Sequence, residues 1–137
     1  MATSSELPDH LYEQMEAGQR LRNQGYRGRF APSPTGPLHL GNLCTALVSW
    51  LQARLANGAW LLRVDDLDQP RNRVGAVESL QQDLHWLGLD WDGPVVFQSR
   101  RRGLYNSFLS ALRRQGKLYA CRCSRRMLAD ISAPAGR

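Results

Sequence analysis

Residues 26–64 place a strand, a stiff loop, a helix and a second strand in immediate succession, and that order constrains the fold more than any other feature. Residues 26–31 form a short strand candidate. The run Pro32-Ser33-Pro34-Thr35-Gly36-Pro37 follows, rich in the residues that stiffen and turn a chain. Residues 41–56 read as a helix, because Leu43, Leu47, Trp50, Leu51 and Leu55 recur every three or four positions. Asn57-Gly58 supplies the stop. Residues 59–64 are apolar except for Arg63, the texture of a strand buried in a parallel sheet. A β–loop–α–β unit needs a crossover, and such crossovers are right-handed. The expected fold is therefore α/β, built on a parallel sheet.

The rest of the chain continues the pattern. Residues 65–73 form a polar loop. A second helix is predicted over 74–87, with Val77, Leu80, Leu84 and Leu87 on one face. Residues 89–94 turn, and 95–97 form a short strand. Ser99 opens a helix to 115, with Leu104, Phe108 and Leu112 inward and Gly116 as the stop. Residues 117–121 are a strand candidate, and Ser124 caps a last helix through 131. Before all this, the first two dozen residues are polar. Asp9 is placed to cap a helix along which Leu11, Met15 and Leu21 share a side. Residues 1–25 are accordingly read as a loosely attached extension, and 26–137 as the folded unit.

A length of 137 residues suits one domain. No apolar run approaches the roughly 20 residues of a membrane helix, and residues 1–16 lack the texture of a secretory or transit segment. A cytoplasmic location without membrane contact is expected. The net charge of +6 is unevenly spread: residues 98–137 carry +9 and residues 1–97 carry −3. A basic half beside a mildly acidic one fits a partner bearing phosphates, and equally a solvated basic face.

The loop between the first strand and helix carries the chemistry. Free N–H groups and the positive end of the helix dipole make that position an anion site. Gly36 and Gly41 allow close approach to the backbone, and His39 can donate to a phosphate oxygen. The Gly-Lys-Ser/Thr ending of a Walker loop is absent, as is GxGxxG. Further on, Leu61-Leu62-Arg63-Val64-Asp65-Asp66-Leu67-Asp68 puts carboxylates at the C-terminal edge of the sheet, where open α/β folds bind ligands.

Arg29-Phe30-Ala31-Pro32-Ser33-Pro34-Thr35-Gly36-Pro37-Leu38-His39-Leu40-Gly41-Asn42 resembles the His-Ile-Gly-His signature region of class I aminoacyl-tRNA synthetases of the glutamyl type, with Asn42 at the fourth signature position. The resemblance covers residues 26–132. It implies a Rossmann-like catalytic domain that activates L-glutamate with ATP, with Mg²⁺ as the nucleotide's companion. Carried over residue by residue, His39, Gly41 and Asn42 are the catalytic signature. Pro32, His39, Gly41 and Asn42 line ATP. Arg29, Phe30, Ala31, Pro32, Ser33 and Asp65 surround glutamate. Arg29 would grip the side-chain carboxylate, which suits a guanidinium fork and disfavours glutamine. Asp65 stands where the family has a Glu that receives the substrate ammonium, and is one methylene shorter.

Within the glutamyl type two branches share these motifs: glutamyl-tRNA synthetases and glutamyl-Q tRNA(Asp) synthetases. Asp66-Leu67-Asp68-Gln69-Pro70-Arg71 with Gly75-Ala76, and the run of residues 119–126, resemble the second, whose acceptor is the queuosine of tRNA(Asp). Trp91-Asp92-Gly93-Pro94 and Gln98-Ser99 fit both. Cys121 and Cys123 are half of a zinc site in the resembled family, and as residues read equally as free thiols. No Lys-Met-Ser-Lys-Ser-like loop occurs, so the resemblance implies an incomplete form; a monomer is expected. A non-catalytic nucleotide- or tRNA-binding paralogue, or a nucleotidyltransferase with another substrate, are the alternatives.

Overall fold

The computed structural model describes residues 7–124 and 126–127. In chain order they form α1 (Asp9–Asn23), β1 (Arg27–Phe30), α2 (Leu40–Leu55), β2 (Ala59–Val64), a 3-10 turn (Gln69–Arg71), α3 (Ala76–Trp86), β3 (Val96–Phe97), a second 3-10 turn (Gln98–Arg101) and α4 (Arg102–Arg114). The strands make a parallel sheet in the order β1-β2-β3. Arg27 pairs with Ala59 and Phe30 with Leu62; Arg63 pairs with Val96 and Val64 with Phe97. The α/β expectation holds, and the strands are joined by helical crossovers as parallel strands require.

Side chains alternate across the strands. Gly28, Phe30, Trp60, Leu62 and Val64 are buried, while Arg27, Arg29, Leu61 and Arg63 take the other face and stay partly or fully exposed. The buried set joins Ala46 and Ala53 of α2, Leu80 and Leu84 of α3, and Leu89 in one core. Phe30 and Trp60 stack at its centre, ring centroids 6.1 Å apart.

The inward face of α2 is not its leucine stripe. Its fully buried residues are Ala46 and Ala53, whereas Leu47, Leu51 and Leu55 are exposed, Leu55 at 84%. Clearance explains this. A Cβ at Gly28 would come within 3.2 Å of the Trp60 ring and 3.4 Å of the Ala53 Cβ, so the helix lies low over the sheet and only small residues fit beneath it. Helix α3 follows its predicted pattern at Leu80 and Leu84, but starts at Ala76, behind a left-handed Gly75 (φ 77°). Residues 99–101 form a 3-10 turn rather than the first turn of the third predicted helix, and Ala111 is the buried residue of α4 while Leu112 is exposed. Residues 117–121 pair with no strand.

At the end of α2, Asn57 rather than glycine adopts the left-handed conformation (φ 49°). Gly58 is needed for another reason: a side chain there would collide with the carbonyl of Tyr26. Leu11 of α1 is fully buried, although most of that helix is exposed. Ser124 Oγ accepts the N–H of Met127 at 3.2 Å, as an N-cap does; the rest of the predicted last helix lies outside the described residues. No helix among the described residues is long and apolar enough to cross a membrane.

Candidate active site

The C-terminal ends of β1 and β2 are tied together by main chain alone. Asp65 N–H donates to the Pro32 carbonyl at 2.9 Å, and Arg73 N–H donates to the Pro34 carbonyl at 2.9 Å. The loop after β1 and the loop after β2 therefore form one rim. Pro32 and Pro34 are buried in it, Ala31 is half-buried, and Ser33 and Thr35 are exposed. A cleft beside the rim is lined by Thr35, Pro70, Arg71, Asn72 and Arg73.

Helix α2 starts at this rim with a reciprocal cap. Asn42 N–H donates to His39 Nδ1 at 3.3 Å, and His39 N–H donates to Asn42 Oδ1 at 3.3 Å. The bond has a chemical consequence. An Nδ1 that accepts carries no proton, so the neutral ring holds its proton on Nε2 and presents that nitrogen as a donor. The backbone N–H groups of Leu40 and Gly41 meet no acceptor among the described residues. Exposed N–H groups at a helix N-terminus beside a ring donor are suited to phosphate oxygens. Gly41 also has a packing reason to lack a side chain: a Cβ would lie 3.1 Å from His39 Cε1 and push the ring away.

Two carboxylates flank the rim. Arg63 Nε and Nη2 hold Asp65 Oδ1 and Oδ2 at 2.7 and 3.0 Å, a bidentate fork. Gln98 Nε2 adds a bond to Oδ1 at 3.1 Å, and Tyr105 OH donates to Gln98 Oε1. Asp66 takes two bonds from one residue, Ser99 N–H to Oδ1 at 2.8 Å and Ser99 Oγ to Oδ2 at 2.5 Å. Burial pushes the Asp66 carboxyl up. The Ser99 hydroxyl and N–H and the Arg102 charge overcome that, and hold it below its ordinary value of 3.8.

Each residue singled out from sequence has a definite place. Pro32 and Asp65 are brought into direct contact. His39, Gly41 and Asn42 form the cap. Arg29 is exposed on the uncovered face of β1. Phe30 points the other way into the core, so only its backbone reaches the rim. Cys121 and Cys123 are exposed, and among the described residues no cluster of three or more His, Cys, Asp or Glu is placed to hold a metal. Two thiols do not make a tetrahedral zinc site. Sequence reasoning did not find Arg63, Gln98, Ser99 and Tyr105 as partners of the carboxylates. The signal available was that Gln98-Ser99 directly follows β3 and so shares the same sheet edge.

The family model for tRNA synthetases class I (E and Q), catalytic domain, matches residues 26–133. The chain belongs to that family. Within it, the chain is 96% identical over 137 residues to the glutamyl-Q tRNA(Asp) synthetase of Prochlorococcus marinus strain MIT 9313, covering 100% of this chain and 45% of that protein. It is 70% identical over 125 residues to the glutamyl-Q tRNA(Asp) synthetase of Synechococcus sp. strain CC9605, covering 90% of this chain and 43% of the relative. The chain thus spans less than half the length of these relatives. Among solved class I structures, the glutamate tRNA ligase from Elizabethkingia meningosepticum in complex with its amino acid is similar with a TM-score of 0.62 and 36% identity, over 78% of this chain and 23% of that one. The glutamate-tRNA synthetase from Elizabethkingia anophelis is similar with a TM-score of 0.63 and 37% identity, over the same shares.

Proposed function

We propose that this chain carries the first half of the active site of a glutamyl-Q tRNA(Asp) synthetase, which activates L-glutamate with ATP and transfers it to the queuosine of tRNA(Asp). The observation that carries the reading is the joined rim. A capped helix N-terminus with a ring donor and free N–H groups shares one sheet edge with a carboxylate bonded through its own N–H to the same loop. The high identity to relatives of that name supports the acceptor.

In the proposed reaction an oxygen of the glutamate α-carboxylate attacks the α-phosphorus of ATP, supplied with Mg²⁺. The bond to the β-phosphate oxygen breaks and pyrophosphate leaves. A hydroxyl of the queuosine then attacks the adenylate carbonyl; an ester forms and AMP leaves. Catalysis is positioning and charge stabilisation rather than covalent chemistry by the protein. His39 Nε2–H and the N–H groups of Leu40 and Gly41 donate to phosphate oxygens. Asp65 receives the substrate ammonium. Arg29 forks onto the side-chain carboxylate. Ser33, exposed on the rim, faces the amino group, and Ala31 and Pro32 supply the floor through their backbone. Cys121 and Cys123 would supply two of the four ligands of a zinc site. The protein acts as a cytoplasmic monomer, with residues 26–137 as the catalytic part and 1–25 as an extension.

A second reading, a glutamyl-tRNA synthetase charging tRNA(Glu), is favoured by the solved structures the chain resembles. Glutamate-dependent ATP–pyrophosphate exchange separates the two. Exchange without tRNA supports the glutamyl-Q reading, and exchange only with tRNA(Glu) supports the second. Arg29→Ala should lower kcat/KM for glutamate by about a hundredfold and narrow the preference over glutamine. A glutamate preference untouched by Arg29→Ala counts against the assignment, whereas exchange absent under both conditions is what half of an active site predicts and leaves the family standing.

A further inference from the structure

The three donors around Asp65 divide its two oxygens unequally. A carboxylate offers about four lone-pair positions, two on each oxygen. Oδ1 accepts from Arg63 Nε at 2.7 Å and from Gln98 Nε2 at 3.1 Å, which fills it. Oδ2 accepts only from Arg63 Nη2, at 3.0 Å, and keeps one position open. The side chain is about one third exposed, so that position is reachable. Gln98 can fill Oδ1 only if its amide is turned with NH₂ toward Asp65. Tyr105 OH sets that orientation by donating to the amide oxygen. Reversal would leave the hydroxyl proton facing an NH₂ group and a carbonyl facing a carboxylate, both unfavourable.

We propose that Tyr105 and Gln98 form a relay that occupies Asp65 Oδ1 and leaves Oδ2 as the one docking point for the substrate ammonium. Both are positioning residues for glutamate. The proposal rests on the reading above that Asp65 receives that ammonium. It also gives a reason why orientation matters at this position. Arg63 already neutralises most of the Asp65 charge, so Coulomb attraction for a cation is weak and the direction of the free lone pair does the selecting. An aspartate, with less reach than a glutamate, tolerates less misdirection.

The test is a pair of ¹H–¹⁵N NMR titrations of this chain, one with L-glutamate into the millimolar range and one with ATP, for the unmodified protein and for Asp65→Ala, Gln98→Leu, Tyr105→Phe and the Gln98→Leu/Tyr105→Phe double variant. The expected result is a glutamate Kd raised roughly tenfold by Gln98→Leu and about threefold by Tyr105→Phe, with the ATP Kd unchanged in both. Tyr105→Phe should add nothing in the Gln98→Leu background, because a relay has no second link once the first is cut. If Asp65→Ala weakens glutamate while Gln98→Leu and Tyr105→Phe do not, the relay is wrong and the ammonium site stands. If Asp65→Ala changes nothing, or the unmodified chain binds no glutamate, the ammonium reading fails and takes the relay with it. Equal loss of glutamate and ATP affinity in Gln98→Leu marks a merely structural role and overturns the proposal. Should Gln98→Leu not fold, Tyr105→Phe removes a single hydroxyl and decides alone: an unchanged glutamate Kd rejects the relay.

Discussion

Asp92 joins the turn after α3 to the centre of the sheet, and its removal has a calculable cost. Its Oδ2 accepts the N–H of Trp60 at 2.7 Å and Arg54 Nη1 at 2.8 Å, while its own N–H donates to the Trp60 carbonyl at 2.8 Å. The same Arg54 reaches the Asp90 carbonyl at 2.6 Å, as does the Trp50 indole N–H at 3.1 Å. Trp60 is fully buried. Asp92→Ala therefore strands a buried N–H, which costs about 1–3 kcal/mol. The Arg54 pair is partly solvated on both sides, 31% and 46% exposed, and contributes at most about 1 kcal/mol. The expected loss is about 2–3 kcal/mol, or roughly 6–9 °C in Tm for a domain of this size. Asp92→Asn keeps an oxygen for Trp60 and should lose only about 1 kcal/mol. The Trp60 N–H, then the Arg54 hydrogen bond and charge, hold the Asp92 carboxyl below its ordinary 3.8. A lowered carboxyl stabilises the fold above the unfolded value, and that contribution fades as pH falls through the folded value. The gap between wild type and Asp92→Ala should thus be constant near neutrality and narrow in acid, toward the difference between Asp92→Asn and Asp92→Ala, because a protonated carboxyl still accepts the Trp60 N–H. Chemical unfolding of the three proteins from pH 3 to pH 7 checks this; equal losses for Ala and Asn, or a gap that widens in acid, would refute the reasoning.

Three further outcomes are expected. Ala53→Leu should destabilise by about 1–3 kcal/mol, because the added atoms have no room above Gly28 and Trp60. Leu55→Ala, on the exposed side of the same helix, should stay within about 0.5 kcal/mol; paired denaturant melts decide, and the opposite ranking would mean that the leucine face is the buried one. Ser99→Ala should raise the carboxyl pKa of Asp66 and cost about 1 kcal/mol near neutrality, with the difference vanishing in acid. Side-chain ¹³C NMR of Asp66 reads the first and a pH series of melts the second; an unmoved carboxyl pKa sinks the idea that the Ser99 hydroxyl stabilises the charge.

What the sequence disclosed and what it withheld divide by range. The βαβ order and the grouping of His39, Gly41 and Asn42 at the start of α2 are local, and local residue types encode them. The inward face of α2 is not legible in the sequence, because a stripe of leucines outweighs two alanines in any count of apolar residues. The decisive fact is a clearance fixed by Gly28 and Trp60, on other elements. The partners of the carboxylates were missed for a related reason. Gln98 and Ser99 each lie 33 residues beyond the aspartate they hold. No periodicity connects such positions; only the parallel order of β2 and β3 does, by ending both strands on one edge.

The bond from Asp65 N–H to the Pro32 carbonyl has a consequence for how such a site changes over generations. It uses no side-chain atom, so ordinary replacement at either position leaves its length untouched. A new residue at 65 alters what is offered to the ligand while the offering point stays put. Proline alone, lacking the N–H, would sever the link. The spacing between loop and carboxylate is in this sense written into the backbone. Side-chain drift at the rim can retune selectivity without dismantling the frame on which selectivity is built.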